Sequence, residues 1–125
     1  MDRKVVNMNT RKLFTIGVEE EFMICDSNTH MLTNKANDIM NFLNDSEKER
    51  FSYELLLSEI EAKTPICLSV KHAMDEISKN RLRLKGIGEK LDFKIGISGT
   101  HPSALPDKQT FVENESYNWV KSQLK

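Results

Sequence analysis

Two glutamates on one face of a predicted strand are the residues of this sequence best suited to chemistry. Glu19 and Glu21 stand two positions apart in the apolar run from 13 to 25, where apolar residues occupy alternate positions. This period of two predicts a strand, and residues two apart project from the same face of a strand. Neighbouring carboxylates repel each other unless a proton or cation lies between them. The pair therefore favours a divalent-cation site, and an exposed strand whose acids simply face water is the alternative interpretation.

Glu20 lies between them and points to the opposite face, which is otherwise apolar. An unpaired charge on that face would be costly to bury. We therefore expect Glu20 either at a sheet edge or beside a lysine or arginine.

A second acidic segment occurs between Tyr53 and Pro65, with a strand predicted over about 54–64. In such a strand Glu59, Glu61 and Lys63 share a face. If this strand pairs with the first, Glu61 lies beside Glu19 and Glu21, and the three carboxylates suit a hard divalent cation. Alternatively, Glu59 and Lys63 form an exposed charge pair that flanks Glu61. The sequence leaves both interpretations open.

A histidine follows the strand predicted over about 92–98. It belongs to the segment Gly99-Thr100-His101-Pro102, in which the glycine permits close backbone approach and the proline fixes the exit. His101 is placed to donate to a phosphate or to position a carboxylate. A glycine-proline turn with a structural histidine is the alternative. His30, which follows the turn formers 26–29, is predicted to be a surface residue.

These residues require a scaffold of strands and amphipathic helices. One helix is predicted from an Asn34 N-cap to about 44, and a longer one from a Ser69 N-cap until Gly86 and Gly88 end or loosen it. A helix-like segment from about Lys108 presents an apolar side that includes Trp119. The predicted fold is α+β, a mainly antiparallel sheet of strands near 13–25, 30–33, 54–64 and 92–98 backed by the two amphipathic helices. An open sheet edge predicts self-association.

Composition limits the function further. The chain has 125 residues with 18 basic and 19 acidic side chains, so its formal net charge of −1 argues against sequence-independent nucleic-acid binding. No apolar run approaches the roughly 20 residues that span a bilayer, and the start lacks an apolar signal core, which favours a cytoplasmic protein without membrane association. Cys25 and Cys67 lack metal-site spacing and are predicted to be reduced, buried thiols. Residues 1–12 are predicted to form a flexible leader.

The ordered series of motifs from about 14 to 124 resembles the bacterial carboxylate-amine ligases of the glutamate-cysteine ligase type 2 family. The matching pieces are Gly17-Val18-Glu19-Glu20-Glu21-Phe22, Glu54, Ile60-Glu61, Thr64-Pro65-Ile66-Cys67, Gly99-Thr100-His101-Pro102 and Tyr117. The resemblance implies a glutamine-synthetase-like catalytic domain that joins a carboxylate to an amine at the expense of ATP. The usual substrates are glutamate and the amino group of cysteine or a similar compound, joined through an acyl phosphate with Mg²⁺ or Mn²⁺ as cofactor.

The resemblance also implies roles for individual residues. Glu19, Glu21 and Glu61 match metal-binding acids, and His101 lies in a turn that implies a catalytic or substrate-binding role. Glu54 and Thr100 match substrate-binding positions. Two departures stand out. Ser116 precedes Tyr117 where the family usually has arginine, which removes a planar fork able to bind carboxylate or phosphate.

The second departure is that the sequence ends before the family's His-Val-His-Val-Gly strand. Residues 13–125 are therefore expected to be the amino-terminal part of an incomplete ligase domain, inactive by itself. Its expected partners are a small amino-acid substrate and either a second copy or the remainder of a ligase. A non-catalytic remnant that binds a metal ion or a protein is the alternative function.

Overall fold

A four-stranded antiparallel sheet organises the chain in a computed structural model, which describes residues 14–124. The strands are β1 (Glu19–Asp26), β2 (Phe51–Tyr53), β3 (Glu59–Lys63) and β4 (Phe93–Gly96), in the spatial order β2-β3-β1-β4. The helices are α1 (Ala36–Phe42), α2 (Val70–Leu91) and α3 (Glu115–Gln123), with short 3₁₀ turns at Glu47–Glu49 and Pro106–Lys108. The predicted α+β class is confirmed. The predicted leader, residues 1–12, lies outside the described part.

The register of β1 against β3 separates the sheet into an apolar face and an acidic face. Phe22 lies opposite Ile60, and both are fully buried against α1 and α2. Glu21 lies opposite Glu61 on the other face, as the period of two requires. The core consists of side chains from the apolar face and from the two helices, chiefly Phe22, Ile24, Ile39, Phe51, Ile60, Leu84 and Ile87. The two acidic segments are therefore paired, which is the first of the two interpretations that the sequence left open.

Glu20 has the partner that its position demands. Arg81 of α2 donates to both carboxylate oxygens of Glu20, with Nε at 3.1 Å from Oε1 and 3.2 Å from Oε2. Only the second half of β1, from Met23, pairs with β4, so Glu20 also lies where β1 has one strand neighbour among the described residues. The two-pronged contact lets a carboxylate remain on the otherwise apolar face.

The prediction of one strand over 54–64 was wrong. Leu55 and Leu57 leave the sheet, because the backbone carbonyl of Leu55 accepts from Val112 and the backbone N–H of Leu57 donates to Thr110. The buried Ser58 hydroxyl donates to the Gln109 side chain at 3.1 Å. The segment therefore pairs with residues about fifty positions later, and β2 and β3 form on either side of it.

The α1 N-cap was also predicted wrongly. α1 begins after Lys35, and no side chain caps it. Asn34 instead donates to the Thr110 hydroxyl at 3.0 Å. The Lys35 ammonium donates to the carbonyls of Leu91 and Asp92, which closes the end of α2. Both side chains are thus used to hold later parts of the chain.

α2 begins as predicted and ends later than predicted. The Ser69 hydroxyl accepts from the His72 backbone N–H at 3.1 Å, which confirms its N-cap role. The helix continues through Gly86 and Gly88 to Leu91 and ends at Asp92, whose φ of 55° is left-handed. Gly88 is required by packing, because a Cβ there would lie 2.5 Å from the carbonyl oxygen of Phe93.

The remaining elements are shorter than predicted. The hairpin after β1 is confirmed, although its second arm is a single bridge between Cys25 and Leu32. The helix expected from about 108 begins at Glu115, and its Trp119 is 66% exposed. On α2, Val70 and Met74 continue the apolar stripe of the helix in sequence but are exposed. Cys25 and Cys67 are buried free thiols, as predicted.

Between residues 14 and 124, no helix is both long enough and apolar enough to span a bilayer.

Candidate functional site

The acidic face of the sheet places two like charges directly opposite each other. Glu21 of β1 and Glu61 of β3 are cross-strand partners, and Ser52 of β2 lies on the other side of Glu61. The Ser52 hydroxyl donates to Oε1 of Glu61 at 3.0 Å. Opposed like charges destabilise a sheet unless something compensates for them. The site is therefore built on a repulsive pair held by three adjacent strands.

Two more glutamates extend this pair into a cluster of four. Burial is the main cause that raises the pKa of Glu54; the charges of Glu21 and Glu61 raise it further, and the Leu55 backbone N–H opposes both. Burial also raises the pKa of Glu59, followed by the charges of Glu54 and Glu21. Glu21, Glu54, Glu59 and Glu61 are called the carboxylate cluster below. Within it, the charges of their neighbours disfavour the charged forms of Glu54 and Glu59.

Glu19 stands apart from this cluster. Its cross-strand partner is Lys63, and both line a separate cavity of about 360 Å³ with Gly17, Val18 and Thr64. The alternative interpretation of a Glu59–Lys63 charge pair has no support, since the described residues contain no ion pair between them. Strand register places Lys63 opposite Glu19, although the ion pairs of the described residues include none between these two side chains.

Tyr117 attaches α3 to the end of β2, next to the cluster. Its hydroxyl donates to the Tyr53 carbonyl at 3.3 Å, next to Glu54 in the chain. Burial raises the pKa of the phenol, and the charges of Glu54 and Glu61 add to the increase. Asn114 caps this helix by accepting from the Tyr117 backbone N–H at 2.8 Å. Ser116, at the position of the expected arginine, is exposed.

His101 lies at the border of the cluster, and both of its ring nitrogens are engaged by backbone groups. The Ser103 N–H donates to Nδ1 at 3.2 Å, so Nδ1 is an acceptor and Nε2 carries the proton that faces the His30 carbonyl at 2.9 Å. These bonds attach the loop after β4 to the β1 hairpin. His30 is exposed, as predicted, and its Nε2 also lies 3.1 Å from the Lys94 ammonium.

A small cavity joins His101 to one member of the cluster. Glu59, Thr100, His101 and Met23 line a space of about 200 Å³. Thr100 is held by its carbonyl, which accepts from the Ser98 hydroxyl at 3.0 Å. Thr100 and His101, the predicted substrate-binding residues, therefore share a cavity with Glu59. The predicted metal ligands Glu19, Glu21 and Glu61 do not line this cavity.

The carboxylates suit Mg²⁺ in a particular way. Within residues 14–124, no three histidine, cysteine, aspartate or glutamate side chains converge as a ready metal site. Mg²⁺ commonly keeps several waters and binds one or two carboxylates together with substrate phosphates, and it does not need a full protein cage. The opposed oxygens of Glu21 and Glu61 fit that demand. Assignment of Glu19, Glu21 and Glu61 as a set of three metal ligands stays a prediction.

Sequence reasoning missed two contributors to the site. Ser52 was overlooked because β2 was not predicted, although its hydroxyl contacts Glu61. Glu59 was assigned only to a surface charge pair. Its position two residues before Glu61 was the available signal, because that spacing puts both carboxylates on one face.

The fold and the site together define an α+β protein with carboxylates concentrated on the sheet face away from its helices. The family model described as glutamate-cysteine ligase family 2 matches residues 15–125. The chain therefore belongs to this family, and the resemblance read from the motifs is confirmed.

Curated relatives agree with this assignment. A Rubrobacter xylanophilus protein named "Putative glutamate--cysteine ligase 2-1" is 35% identical over 112 residues, which cover 90% of this chain and 30% of that protein. A similarly named Herpetosiphon aurantiacus protein is 30% identical over 111 residues, with 89% and 29% covered. The chain thus spans about three tenths of the length of these relatives. No solved structure matches the chain.

Proposed function

We propose that this chain supplies part of the catalytic face of an ATP-dependent carboxylate-amine ligase. The observation that carries the proposal is the opposed pair Glu21 and Glu61, fixed by strand register in a chain that belongs to glutamate-cysteine ligase family 2. A repulsive pair persists at a cost to stability, and a bound cation would offset that cost. The substrates would be glutamate and the amino group of cysteine or a related compound, both available in the cytoplasm.

The reaction brings the negative charges of the ATP phosphates and of the substrate carboxylate close together. A free carboxylate is a poor electrophile, and phosphoryl transfer from ATP converts it into an acyl phosphate that the amine attacks to form the amide. Mg²⁺ or Mn²⁺ would neutralise phosphate charge at this face. Glu21 and Glu61 would hold the cation, with Glu19 as a further ligand candidate. Glu54, Thr100 and His101 would contact substrate at the border of the cluster.

A non-catalytic role in metal or protein binding is the second candidate. It is favoured by the chain's span of about three tenths of its relatives, which leaves most of a whole ligase unaccounted for. It is also favoured by the exposed Trp119 and Leu124 at the end of the described chain.

The 125-residue chain by itself is expected to release little or no ADP from ATP in the presence of glutamate and cysteine. The reason is that the residues contributed by the other seven tenths of its relatives are not in the reaction. A coupled ADP assay with and without each amino acid measures this. Robust release that requires both amino acids would show that the chain needs no further residues.

Mg²⁺ or Mn²⁺ is expected to raise the melting temperature of the chain by roughly 1–3 °C through mass action on the folded state. The variant Glu21→Gln/Glu61→Gln should lose this increase, and Glu19→Gln alone shows whether Glu19 contributes. Glu49→Gln/Glu113→Gln is the matched control, because both glutamates are exposed and lie outside the carboxylate cluster. An equal shift in the Glu21/Glu61 variant, or no shift in the parent chain, would contradict the proposed metal site.

A further inference from the structure

Lys63, the last residue of β3, lines two cavities. One has a volume of about 250 Å³ and is also lined by Arg50. The other is the cavity of about 360 Å³ that is also lined by Glu19. Thr64 lines both, so the two spaces meet at these two residues. Lys63 therefore lies between a candidate metal ligand and an arginine. The two spaces are called the Lys63 cavities below.

The backbone of Lys63 is held from two sides, while its side chain is exposed. Its N–H donates to the Arg50 carbonyl at 2.8 Å, and its carbonyl accepts from the side chain of the buried Asn80 at 3.1 Å. The ion pairs of the described residues include none to Lys63. A lysine ammonium is a compact point charge that commonly binds phosphate. Lys63 can therefore contact an anion without giving up an ion pair seen in the structure.

Two neighbouring side chains add donors to the Lys63 cavities. The Arg50 Nε is buried and has no hydrogen-bond partner among the described residues, although a terminal nitrogen of the same guanidinium lies 2.6 Å from the Glu76 carboxylate. A buried donor without a partner costs free energy, which an acceptor from water or from a ligand recovers. The Thr64 hydroxyl accepts from the Val18 N–H at 3.1 Å, which leaves its own proton to donate. A lysine, an arginine and a hydroxyl are thus gathered where an anion could bind.

We propose that Lys63 contacts a phosphate group of the nucleotide beside the candidate metal site, an inference that rests on the proposed ligase function. Strand register puts Lys63 opposite Glu19, and Glu61 lies two positions before it on the same strand face. Phosphoryl-transfer sites repeatedly combine a lysine with Mg²⁺ held by an acid, because several positive charges are needed to neutralise the phosphates. The phosphates would therefore lie toward the Lys63 end of β3. Glu59, which shares a cavity with His101, lies at the other end.

The charges in the Lys63 cavities make this contact dependent on Mg²⁺. Glu19 and the exposed Glu49 line these cavities, and Arg50 is already paired with Glu76. Two carboxylates therefore offset the single charge of Lys63 when no metal ion is bound. A divalent cation on the acidic face reverses that balance. We expect a polyphosphate to bind as its Mg²⁺ complex, which is the form in which Mg²⁺ commonly enters protein sites.

Isothermal titration calorimetry of the 125-residue chain with Mg²⁺ tripolyphosphate tests the contact. Salt at about 0.15 M screens attraction to scattered surface charges. Lys63→Gln should raise the Kd by roughly tenfold or more, the effect of losing one charge-assisted hydrogen bond, and Lys63→Arg should keep most of the affinity. A chelator should weaken binding to the parent chain. Lys85→Gln is the matched control, because Lys85 is also exposed, has no ion pair within the described residues and lies outside the Lys63 cavities.

The melting temperature of the same variants with Mg²⁺ alone separates this inference from the proposed function. If Lys63→Gln keeps the Mg²⁺ increase and binds tripolyphosphate as tightly as the parent chain, then the phosphate contact is wrong and the ligase proposal is unaffected. If the Mg²⁺ increase is absent but tripolyphosphate binding still depends on Lys63, then the metal ligands are wrong and the phosphate contact stands.

Three further results would overturn the phosphate contact. The first is a parent chain that does not bind tripolyphosphate, and the second is binding that a chelator leaves unchanged. The third comes from a titration with glutamate, which carries carboxylates and no phosphate. Glutamate binding that is lost in Lys63→Gln, with tripolyphosphate binding unaffected, would assign Lys63 to the carboxylate substrate instead.

Discussion

Gly88→Ala is expected to destabilise the protein by roughly 1–3 kcal/mol, the range seen when a packed interior must accept an extra carbon. The added Cβ would lie 2.5 Å from the Phe93 carbonyl oxygen and 3.3 Å from its ring. The backbone of β4 cannot yield easily there, because its next residues pair with β1. The helix gains less than about 1 kcal/mol from replacing glycine with alanine, so the clash decides the sign.

Gly86→Ala is the matched control in the same helix. Nothing lies within 4 Å of a Cβ built on Gly86, so only the helix propensity changes and a gain of up to about 1 kcal/mol is expected. Urea unfolding followed by circular dichroism measures both variants, and an unchanged m-value confirms that the comparison is one of stability. If Gly88→Ala were as stable as Gly86→Ala, then the contact between α2 and β4 would be looser than the structure has it.

The same two glycines show why the end of α2 could not be predicted from the sequence. Glycine carries a helix penalty of roughly 1 kcal/mol, and two glycines within three residues favour termination. The penalty is outweighed because Ile87 is fully buried in the core and Gly88 lets the helix approach Phe93. Local propensity was overridden by a contact that exists only after the chain has turned at Asp92.

Long-range pairing also explains the error between 54 and 58. Leu55, Leu56 and Leu57 form an apolar run with strand composition. Their actual partners are Phe111 and its neighbours, since Leu56 bridges to Phe111 and Leu57 donates to Thr110. Nothing within the run itself encodes that choice. Period-two patterning located β1 and β3 because Phe22 and Ile24, and Ile60 and Ala62, are buried on one face of the sheet. The strand predicted over 13–25 nevertheless begins only at Glu19, and Phe14, which shares its alternation, is exposed.

The sequence predicted that Glu21 and Glu61 lie together on one sheet face, but it did not predict that Ser52 and Glu59 contribute to the candidate site. The spacing of Glu21 and Glu61 was sufficient to place them opposite each other, once their strands were assumed to pair. Glu54 lies just after β2 ends at Tyr53 and outside any strand, so strand alternation could not place it with the others. His101 was predicted as a functional residue, and the structure gives its ring two backbone contacts. A role with substrate would require one of those contacts to be exchanged.

Glu54 and Glu59 matter because their negative charges, close to those of Glu21 and Glu61, lower the stability of the folded state. Glu54 and Glu59 are partly buried and have no lysine or arginine partner among the ion pairs of the described residues. Elsewhere the fold compensates its acids. Glu76, which is 6% exposed, is paired with Arg50 at 2.6 Å and with Lys79. The contrast between a compensated and an uncompensated buried acid within one small fold supports a functional origin for the cluster.

Glu54→Gln/Glu59→Gln is accordingly expected to stabilise the metal-free protein at neutral pH by up to roughly 1 kcal/mol, because it removes two partly buried charges whose repulsion solvent partly screens. Both folded pKa values are raised above the ordinary 4.5, so the folded state binds these two protons more tightly than the unfolded state. Stability from these protons is present below pH 4.5 and is lost as the pH rises through the raised values. The advantage of the variant should therefore vanish in acid and grow toward neutral pH.

Urea unfolding of the parent chain and the variant across that pH range, with a chelator present, measures the difference directly. Glu49→Gln serves as the control, because Glu49 is exposed and outside the cluster, and it should show no such growth with pH. A difference that is constant with pH, or largest in acid, would mean that the folded state does not disfavour the charged forms of Glu54 and Glu59. In that case the cluster would have no unfavourable charge for a cation to relieve, and the proposed metal site would lose its physical basis.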